Sequence, residues 1–332
     1  MTGASAPLDY SSLLNVPDRQ RSVQDVALPT VRVCDRIQPD ATQAAIGLNA
    51  LEEQYGAITG ELPLGGWNGL RRNAHGRLRL IASLRNTAPW LYAATNIVER
   101  QLEVALHVGH PWLAFRPLLL VGAPGSGKSH FAMQMAEAAG VTFVQVPMGG
   151  DSDNRSLAGT ARGWTGAQPA LPVVAMVQHG TANPLIILDE IEKVSGERRN
   201  GNAHEALLSM LEPRTAGCWY DRCLMAAVDL RHVVWVATAN SLHGIPPPLL
   251  SRFDVVNVPV PGPRDADALI ESLRRDFCQR LGLLAGLQPR LDDSVVRLLR
   301  RHFHRSGSIR LLRREVEIAM GEAIRALPRV VH

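Results

Sequence analysis

Lysine is almost missing from this chain of 332 residues, in which two of the 35 basic residues are lysines and the other 33 are arginines. Cysteine is also scarce, and the four cysteines are scattered without the spacing of a zinc knuckle or a disulfide framework. No apolar run approaches the roughly 18 residues of a membrane helix, and the N-terminus lacks the pattern of a signal peptide. We therefore expect a cytoplasmic protein with reduced thiols and no membrane span.

The charge of the chain is small and unevenly distributed. The formal net charge is +4, with 46% hydrophobic and 20% charged residues, which indicates a globular protein. From Arg264 onward, 14 arginines stand against nine acidic residues, so the C-terminal third is basic. Nucleic-acid binding is compatible with this surplus, and so are solvated helix faces in an arginine-rich chain.

Four regions differ in their sequence patterns. Residues 1–45 lack periodicity and are predicted to be an arm with little structure, whereas residues 46–95 carry the three- and four-residue spacing of helices. Residues 96–262 alternate between short buried strands and helices, which predicts a parallel sheet sandwiched by helices. Residues 263–332 have helical patterns alone. The predicted fold class is therefore α/β, followed by a small all-α domain.

The stretch GAPGSGKS fits the phosphate-binding pattern G-x-x-x-x-G-K-[ST] and lies between a predicted strand and a predicted helix. Its glycines let backbone N–H groups turn toward phosphate oxygens, and the helix offers its positive end. One of the two lysines, Lys128, stands where a compact ammonium on a flexible stem reaches the terminal phosphates. The Ser129 hydroxyl is the predicted Mg²⁺ ligand. The predicted nucleotide-binding residues are Gly122, Ala123, Pro124, Gly125, Ser126, Gly127, Lys128 and Ser129.

Two later strands end in polar residues that suit hydrolysis. The strand in LIILDE ends in Asp189, which is placed to hold Mg²⁺, and Glu190 follows as the candidate to polarise an attacking water. The strand in VATAN ends at Asn240, whose neutral amide can orient that water without competing for its proton. Such residues are often only turn or helix-start residues, but the phosphate-binding pattern upstream favours the catalytic interpretation.

Together these motifs resemble the AAA+ ATPases, and more closely the ATPase module of the Lon protease family. The resemblance runs from about Ile97 to Ala326 and includes GTARGWTGAQP, NPLIILDEIEKVS and LLSRFDVV in the Lon order and spacing. It implies a P-loop AAA+ domain with a helical lid domain and an ATP hydrolase that requires Mg²⁺. It also implies a homo-oligomeric ring of six subunits that acts on a protein client.

Three further residues take their roles from this resemblance. Arg252 in LLSRFD matches the arginine finger that reaches the γ-phosphate of the neighbouring subunit, so ATP turnover would need assembly. Arg310 in GSIRLL matches the lid arginine that senses nucleotide in its own subunit. Trp164 in RGWTGA matches the pore-loop aromatic that grips polypeptide, although tryptophan is more often a core residue and Thr165 is more polar than usual there.

One departure from Lon proteases bears on activity. Lon proteases carry a serine–lysine peptidase, whereas this sequence ends at His332 after the predicted lid, and both Lys128 and Lys193 lie inside the ATPase module. We therefore expect no intrinsic peptidase activity, and a separately encoded peptidase or effector is a candidate partner.

Two functions stay open at this point. The first is an ATP-driven, ring-forming protein remodeller. The alternative is a nucleotide-dependent switch or assembly ATPase that recruits a partner and acts on nucleic acid. The alternative would use the arginine-rich stretch from Arg71 to Arg85, which a solvated helix face explains as well.

Overall fold

The computed structural model describes residues 14–15, 29–37, 46–66, 74–149, 155–164, 166–194, 203–283 and 288–326. The ten strands within these residues are β1 (Leu14–Asn15), β2 (Thr30–Arg32), β3 (Glu61–Pro63), β4 (Leu118–Val121), β5 (Phe143–Pro147), β6 (Leu185–Asp189), β7 (Trp219–Asp221), β8 (Ala226–Val228), β9 (Val234–Ala239) and β10 (Asp254–Asn257). The twelve α-helices within them are α1 (Ile46–Tyr55), α2 (Ala74–Thr87), α3 (Tyr92–His107), α4 (Lys128–Ala139), α5 (Arg155–Ala158), α6 (Leu171–His179), α7 (Ala203–Leu211), α8 (Pro213–Ala216), α9 (Pro247–Leu250), α10 (Ala266–Arg280), α11 (Asp293–Ser306) and α12 (Ile309–Ala326).

A central sheet of six strands has the order β1-β5-β6-β9-β4-β10. The last five strands are parallel to one another, and the short β1 pairs antiparallel with β5. In the register, Val121 of β4 lies beside Ala239 of β9, and Leu188 of β6 lies beside Ala237 of the same strand. The segments that leave β4, β6 and β9 therefore meet at one edge of the sheet, where α/β proteins bind ligands.

Both faces of the sheet are covered, and alternate side chains of β6 enter different cores. Ile186 and Leu188 are buried in a core that includes α6, whereas Leu185 and Ile187 are buried in a core that includes α4. A strand buried on both faces reads as a continuous apolar run, as LIIL does. The predicted α/β class with a helix-covered parallel sheet is confirmed.

The three C-terminal helices, α10 to α12, pack on the same side of the sheet as α4. Leu273, Phe303 and Val316, one from each helix, belong to the buried core that contains α4. A polar contact adds to it, because His130 of α4 lies 3.1 Å from the Ser272 hydroxyl of α10. The helix that follows the phosphate-binding stretch is thus packed directly against the helical domain. Among the described residues, no helix is both long and apolar enough to cross a membrane.

Two small antiparallel sheets of two strands each lie outside the predicted pattern. In the first, β2 pairs with β3 across the intervening α1, and Val33 and Cys34 after β2 are buried, although an arm with little structure is predicted there. In the second, β7 and β8 form a hairpin. Each of these strands has three residues, which is too short for alternation to be recognised in a sequence. Within residues 46–95, where helical spacing is predicted, α2 covers residues 74–87, and residues 67–73 lie outside the described ones.

Candidate functional site

The loop between β4 and α4, residues 122–127, packs closely against the end of β9 and the segment after β10. The Gly122 N–H donates to the Ala239 carbonyl of β9 at 3.1 Å. A Cβ atom at position 122 would lie 2.3 Å from the Val258 carbonyl oxygen, so only glycine fits this close approach. Gly125 and Gly127 have φ values of +81° and +92°, which other residues rarely adopt. The sequence pattern therefore reflects the backbone that this loop requires.

A tryptophan outside the motif supports the loop from behind. The Trp90 indole Nε1 donates to the Ser126 carbonyl at 2.8 Å, and the ring would lie 3.4 Å from a Cβ atom at Gly127. Trp90 is buried in the single turn Pro89–Leu91 that leads into α3. The Ser126 hydroxyl is buried and has no hydrogen-bond partner among the described residues. Such an orphaned hydroxyl, in a loop with free helix N-terminal N–H groups, fits an anionic ligand that brings acceptor oxygens.

The Lys128 ammonium lies inside the loop. Its Nζ donates to the carbonyl oxygens of Gly122 at 2.8 Å and Ala123 at 3.0 Å, and to the Asn240 side-chain oxygen at 3.3 Å. Burial lowers the pKa of Lys128, and the nearby carboxylates, with Asp189 foremost, act in the opposite direction. A buried cation held only by neutral oxygens favours an anion beside it.

Asp189 collects three hydrogen bonds from three different elements. The Ser129 hydroxyl of α4 donates to Oδ1 at 2.7 Å, and the Thr238 hydroxyl of β9 donates to the same oxygen. Gln145 of β5 donates to Oδ2 at 3.1 Å. The carboxylate and the Ser129 hydroxyl form a set of hard oxygen donors, which is the kind that Mg²⁺ prefers. These two residues would hold Mg²⁺.

Glu190, the next residue, has a left-handed backbone with φ of +58°. Its N–H donates to the Thr238 hydroxyl at 3.1 Å, and its carbonyl accepts from the Lys193 N–H at 2.9 Å. The buried Ile191 anchors the turn, and its carbonyl accepts a hydrogen bond from His204 Nε2 at 2.9 Å. Burial lowers the pKa of His204, so its neutral ring donates there. A residue with a strained backbone that the surrounding hydrogen bonds keep in place is typical of functional sites.

Asn240 connects the loop lysine with two glutamates. Its Nδ2 donates to Glu190 Oε1 at 3.3 Å and to Glu192 Oε1 at 2.9 Å, while its Oδ1 accepts from Lys128. The Asn240 N–H also donates to Glu192 Oε1 at 3.0 Å. The structure thus brings together the loop residues, Asp189, Glu190 and Asn240. Sequence reasoning missed Glu192, for which the only signal was its place in the acidic run DEIE.

Two arginines of the prediction lie apart from this cluster. The Arg252 guanidinium donates to the carbonyls of Pro248 at 2.6 Å and Leu208 at 3.1 Å, and it pairs with Glu212 at 3.4 Å. Within the described part of the chain, none of its bonds reaches the phosphate loop. Arg310 is exposed in the first turn of α12.

Trp164 is 72% exposed at the tip of a loop. The bridge between Thr160 and Gln168 closes this loop, and Gly163 has φ of +92° beside the tryptophan. Arg162 ties the loop to the β7–β8 turn, because its guanidinium donates to the Cys223 carbonyl at 2.8 Å and to the Leu224 carbonyl at 2.9 Å. Trp164 is therefore a solvent-exposed loop residue and not a core residue. Thr165 lies outside the described residues.

Residues 118–259 match the family described as ATPase family associated with various cellular activities (AAA). The Lon protease of Mesomycoplasma hyopneumoniae (strain 232) is 33% identical over 206 residues, which are 60% of this chain and 23% of that protein. The Lon protease of Vibrio parahaemolyticus is 32% identical over 211 residues, 63% of this chain and 26% of that protein. The mitochondrial Lon protease homolog of Yarrowia lipolytica is 31% identical over 227 residues, which are 68% of this chain and 19% of that protein.

The chain thus spans about a quarter or less of the length of these relatives. The family match contains the phosphate loop, Asp189 and Asn240. ATP and Mg²⁺ are the ligands on which an AAA ATPase depends, and the donors described above fit both. The predicted resemblance to the Lon ATPase module is confirmed.

Replacing Trp90 with phenylalanine tests whether the indole sets the shape of the phosphate loop. Trp90→Phe keeps an aromatic ring behind Gly127 but leaves the Ser126 carbonyl unpaired. We expect the dissociation constant for Mg-ATP, measured by calorimetric titration, to rise about fivefold, as the loss of one hydrogen bond implies. Trp219→Phe is the matched control, since its indole donates to Ser209 at 3.1 Å, outside the loop. Equal affinity in both variants would contradict a role for Trp90.

Proposed function

Since residues 118–259 form an AAA ATPase domain similar to that of Lon proteases, we propose that the chain is the ATP-hydrolysing subunit of a ring that remodels a protein client. The ring is proposed to be a hexamer in the cytoplasm. The observation that carries the proposal is the network in which Lys128, Asn240 and Glu190 are joined at the edge of the sheet, beside the contact between Ser129 and Asp189.

The proposed chemistry is the attack of water on the γ-phosphate of ATP. Lys128 binds the terminal phosphates, and Ser129 and Asp189 would hold Mg²⁺, which would neutralise part of the phosphate charge when bound. Glu190 orients the water and accepts its proton while the bond between the γ-phosphorus and the ADP oxygen breaks. Asn240 already donates to the Glu190 carboxylate and is proposed to orient the same water.

Arg252 is proposed to complete the site of the neighbouring subunit. Inside its own protomer the guanidinium contacts α7, α9 and Glu212 and has no bond to the phosphate loop in the described residues. The guanidinium is held by these contacts but stays partly exposed, and in contact with a second copy its charge would stabilise the transition state. Arg310, exposed at the start of α12, is proposed to sense nucleotide in its own subunit.

Trp164 is proposed to contact the protein client. Its 72% exposure on a closed loop, tied to the β7–β8 turn by Arg162, supports this role. An exposed tryptophan offers a large apolar surface to polypeptide at little cost in side-chain entropy.

The contacts of the two lysines and of Arg85 bear on the peptidase and on the nucleic-acid alternative. The only lysines of the 332 residues, Lys128 and Lys193, both contact residues of the nucleotide site, so these residues offer no serine–lysine dyad. We propose that a separately encoded peptidase or effector receives the client. The nucleic-acid alternative has less support, because Arg85 is bonded to Glu99 at 2.5 Å. Of the other arginines in that stretch, Arg79 is exposed, and the side chains of Arg71, Arg72 and Arg77 lie outside the described residues.

Mixing two inactive variants tests the shared site. Arg252→Ala keeps the phosphate loop and Lys128→Ala keeps the arginine, so each alone is expected to lose more than nine-tenths of its ATPase activity, a loss typical of arginine-finger removal. A mixed ring contains seams with both groups intact, and we expect part of the activity to return in a coupled phosphate-release assay. Arg280→Ala is the control, an exposed arginine that pairs with Glu317 in the helical domain. Full activity of Arg252→Ala by itself would contradict the proposal.

A second variant separates the two functions that the sequence leaves open. Trp164→Ala is expected to abolish the stimulation of ATPase activity by unfolded casein while the affinity for Mg-ATP stays within about twofold, because the loop tip is exposed. Tyr220→Ala, which removes a 55% exposed aromatic from β7, is the matched control. Undiminished casein stimulation in Trp164→Ala would contradict the role of Trp164, and a wild type that is stimulated by duplex DNA and not by casein would favour the nucleic-acid function.

A further inference from the structure

The second lysine of the chain also belongs to the nucleotide site. Lys193 Nζ donates to Glu190 Oε2 at 2.7 Å, just as Lys128 Nζ donates to Asn240. Both lysines of a chain with 33 arginines therefore contact a proposed catalytic residue. The lysine of the phosphate loop is explained by its motif. Lys193 belongs to no phosphate-binding pattern, and its presence calls for a separate cause.

The backbone is shaped so that the two side chains meet. The left-handed Glu190 is followed by the single turn Ile191–Lys193, in which the Lys193 N–H returns to the Glu190 carbonyl at 2.9 Å. Although Glu190 and Lys193 are three residues apart, this turn brings their side chains to the same side of the backbone. Ile191, fully buried between them, prevents the turn from rotating.

A glycine on the facing segment leaves room for the pair. A Cβ atom at Gly149 would lie 3.1 Å from Lys193 Cδ and 3.4 Å from Glu190 Oε2. The segment cannot move away, because the preceding Met148 N–H donates to the Asp189 carbonyl at 2.8 Å. The flexible stem and compact ammonium of lysine fit this narrow space better than a planar guanidinium.

The pair contributes little to the stability of the fold. The side chains of Lys193 and Glu190 are 51% and 41% exposed, and ion pairs of that exposure are weak in water. What the contact does is to fix an orientation. Lys193 donates to Oε2 of Glu190 while Asn240 donates to Oε1, so both oxygens of the carboxylate are oriented, and each oxygen keeps a further lone pair for water.

We propose that Lys193 is a positioning residue, which holds the Glu190 carboxylate in the orientation that ATP hydrolysis requires. The proposal rests on the proposed role of Glu190 as the group that accepts the proton of the attacking water. Lys193 acts on the chemical step through Glu190 and not on the binding of nucleotide, which the phosphate loop performs.

Steady-state kinetics of the full chain with Mg-ATP test this role. Lys193→Met keeps the stem and removes the charge, and we expect kcat to fall about fivefold or more with KM unchanged, since one oriented hydrogen bond is lost. Lys193→Arg keeps a charge and is expected to recover part of kcat. Arg280→Met, which breaks a comparably exposed ion pair in the helical domain, is expected to keep the wild-type kcat.

Two further variants keep the test decisive. Gly149→Ala crowds the pair from the facing side and is expected to lower kcat in the same way, so the role is measurable even if one of the variants fails to fold. In the Glu190→Gln background, Lys193→Met is expected to leave the dissociation constant for Mg-ATP unchanged in a calorimetric titration, which the loss of a lysine needed for the structure of the site would not do.

The outcomes separate the two proposals. If wild type hydrolyses ATP and Glu190→Gln does not, the proposed function stands. In that case, a kcat of Lys193→Met equal to or above wild type overturns the role of Lys193 alone, and so does a rise in KM with constant kcat. A wild-type chain without ATPase activity, or a Glu190→Gln variant with full activity, overturns both.

Discussion

The site depends on the carboxylate of Asp189, on which three hydrogen bonds converge. Its donors are Ser129 at the start of α4, Gln145 on β5 and Thr238 on β9, and the carboxylate itself ends β6. Four elements that are distant in sequence are therefore fixed to one another at the carboxyl edge of the sheet. The negative charge stands beside the phosphate loop, where it suits a divalent cation that is bound together with a triphosphate.

The site combines groups of two kinds. Lys128, Glu190 and Asn240 are held by several hydrogen bonds each, so they are oriented before any nucleotide binds, and pre-oriented groups need little reorganisation during the reaction. Arg310 and Trp164, by contrast, are exposed, and Arg252 is partly exposed. This division agrees with the proposed function, in which the groups prepared within one protomer act together with the exposed residues of a neighbour.

The sequence predicts the parts of the site that depend on local chemistry. The glycines, Lys128 and Ser129 follow from a single motif, and the apolar run of β6 predicts where Asp189 and Glu190 stand. Trp90 and Thr238 could not be predicted, because the first joins the loop from 36 residues away and the second is an ordinary strand residue until β9 lies beside β6. The strand pairs β2–β3 and β7–β8 could not be predicted, because strands of three residues show no recognisable periodicity. The contact of Lys193 with Glu190 could not be predicted either, since it depends on a left-handed residue that sequence patterns do not show.

The most direct test of the account is the binding of ATP to Asp189→Asn with and without Mg²⁺, measured by calorimetric titration. Wild type is expected to bind ATP more tightly when Mg²⁺ is present, and Asp189→Asn is expected to lose that dependence on Mg²⁺. Asp229→Asn, which removes a carboxylate paired with Arg231, serves as the control that keeps the dependence. The same affinity for Mg-ATP in wild type and in a folded Asp189→Asn variant would contradict the assignment of this site.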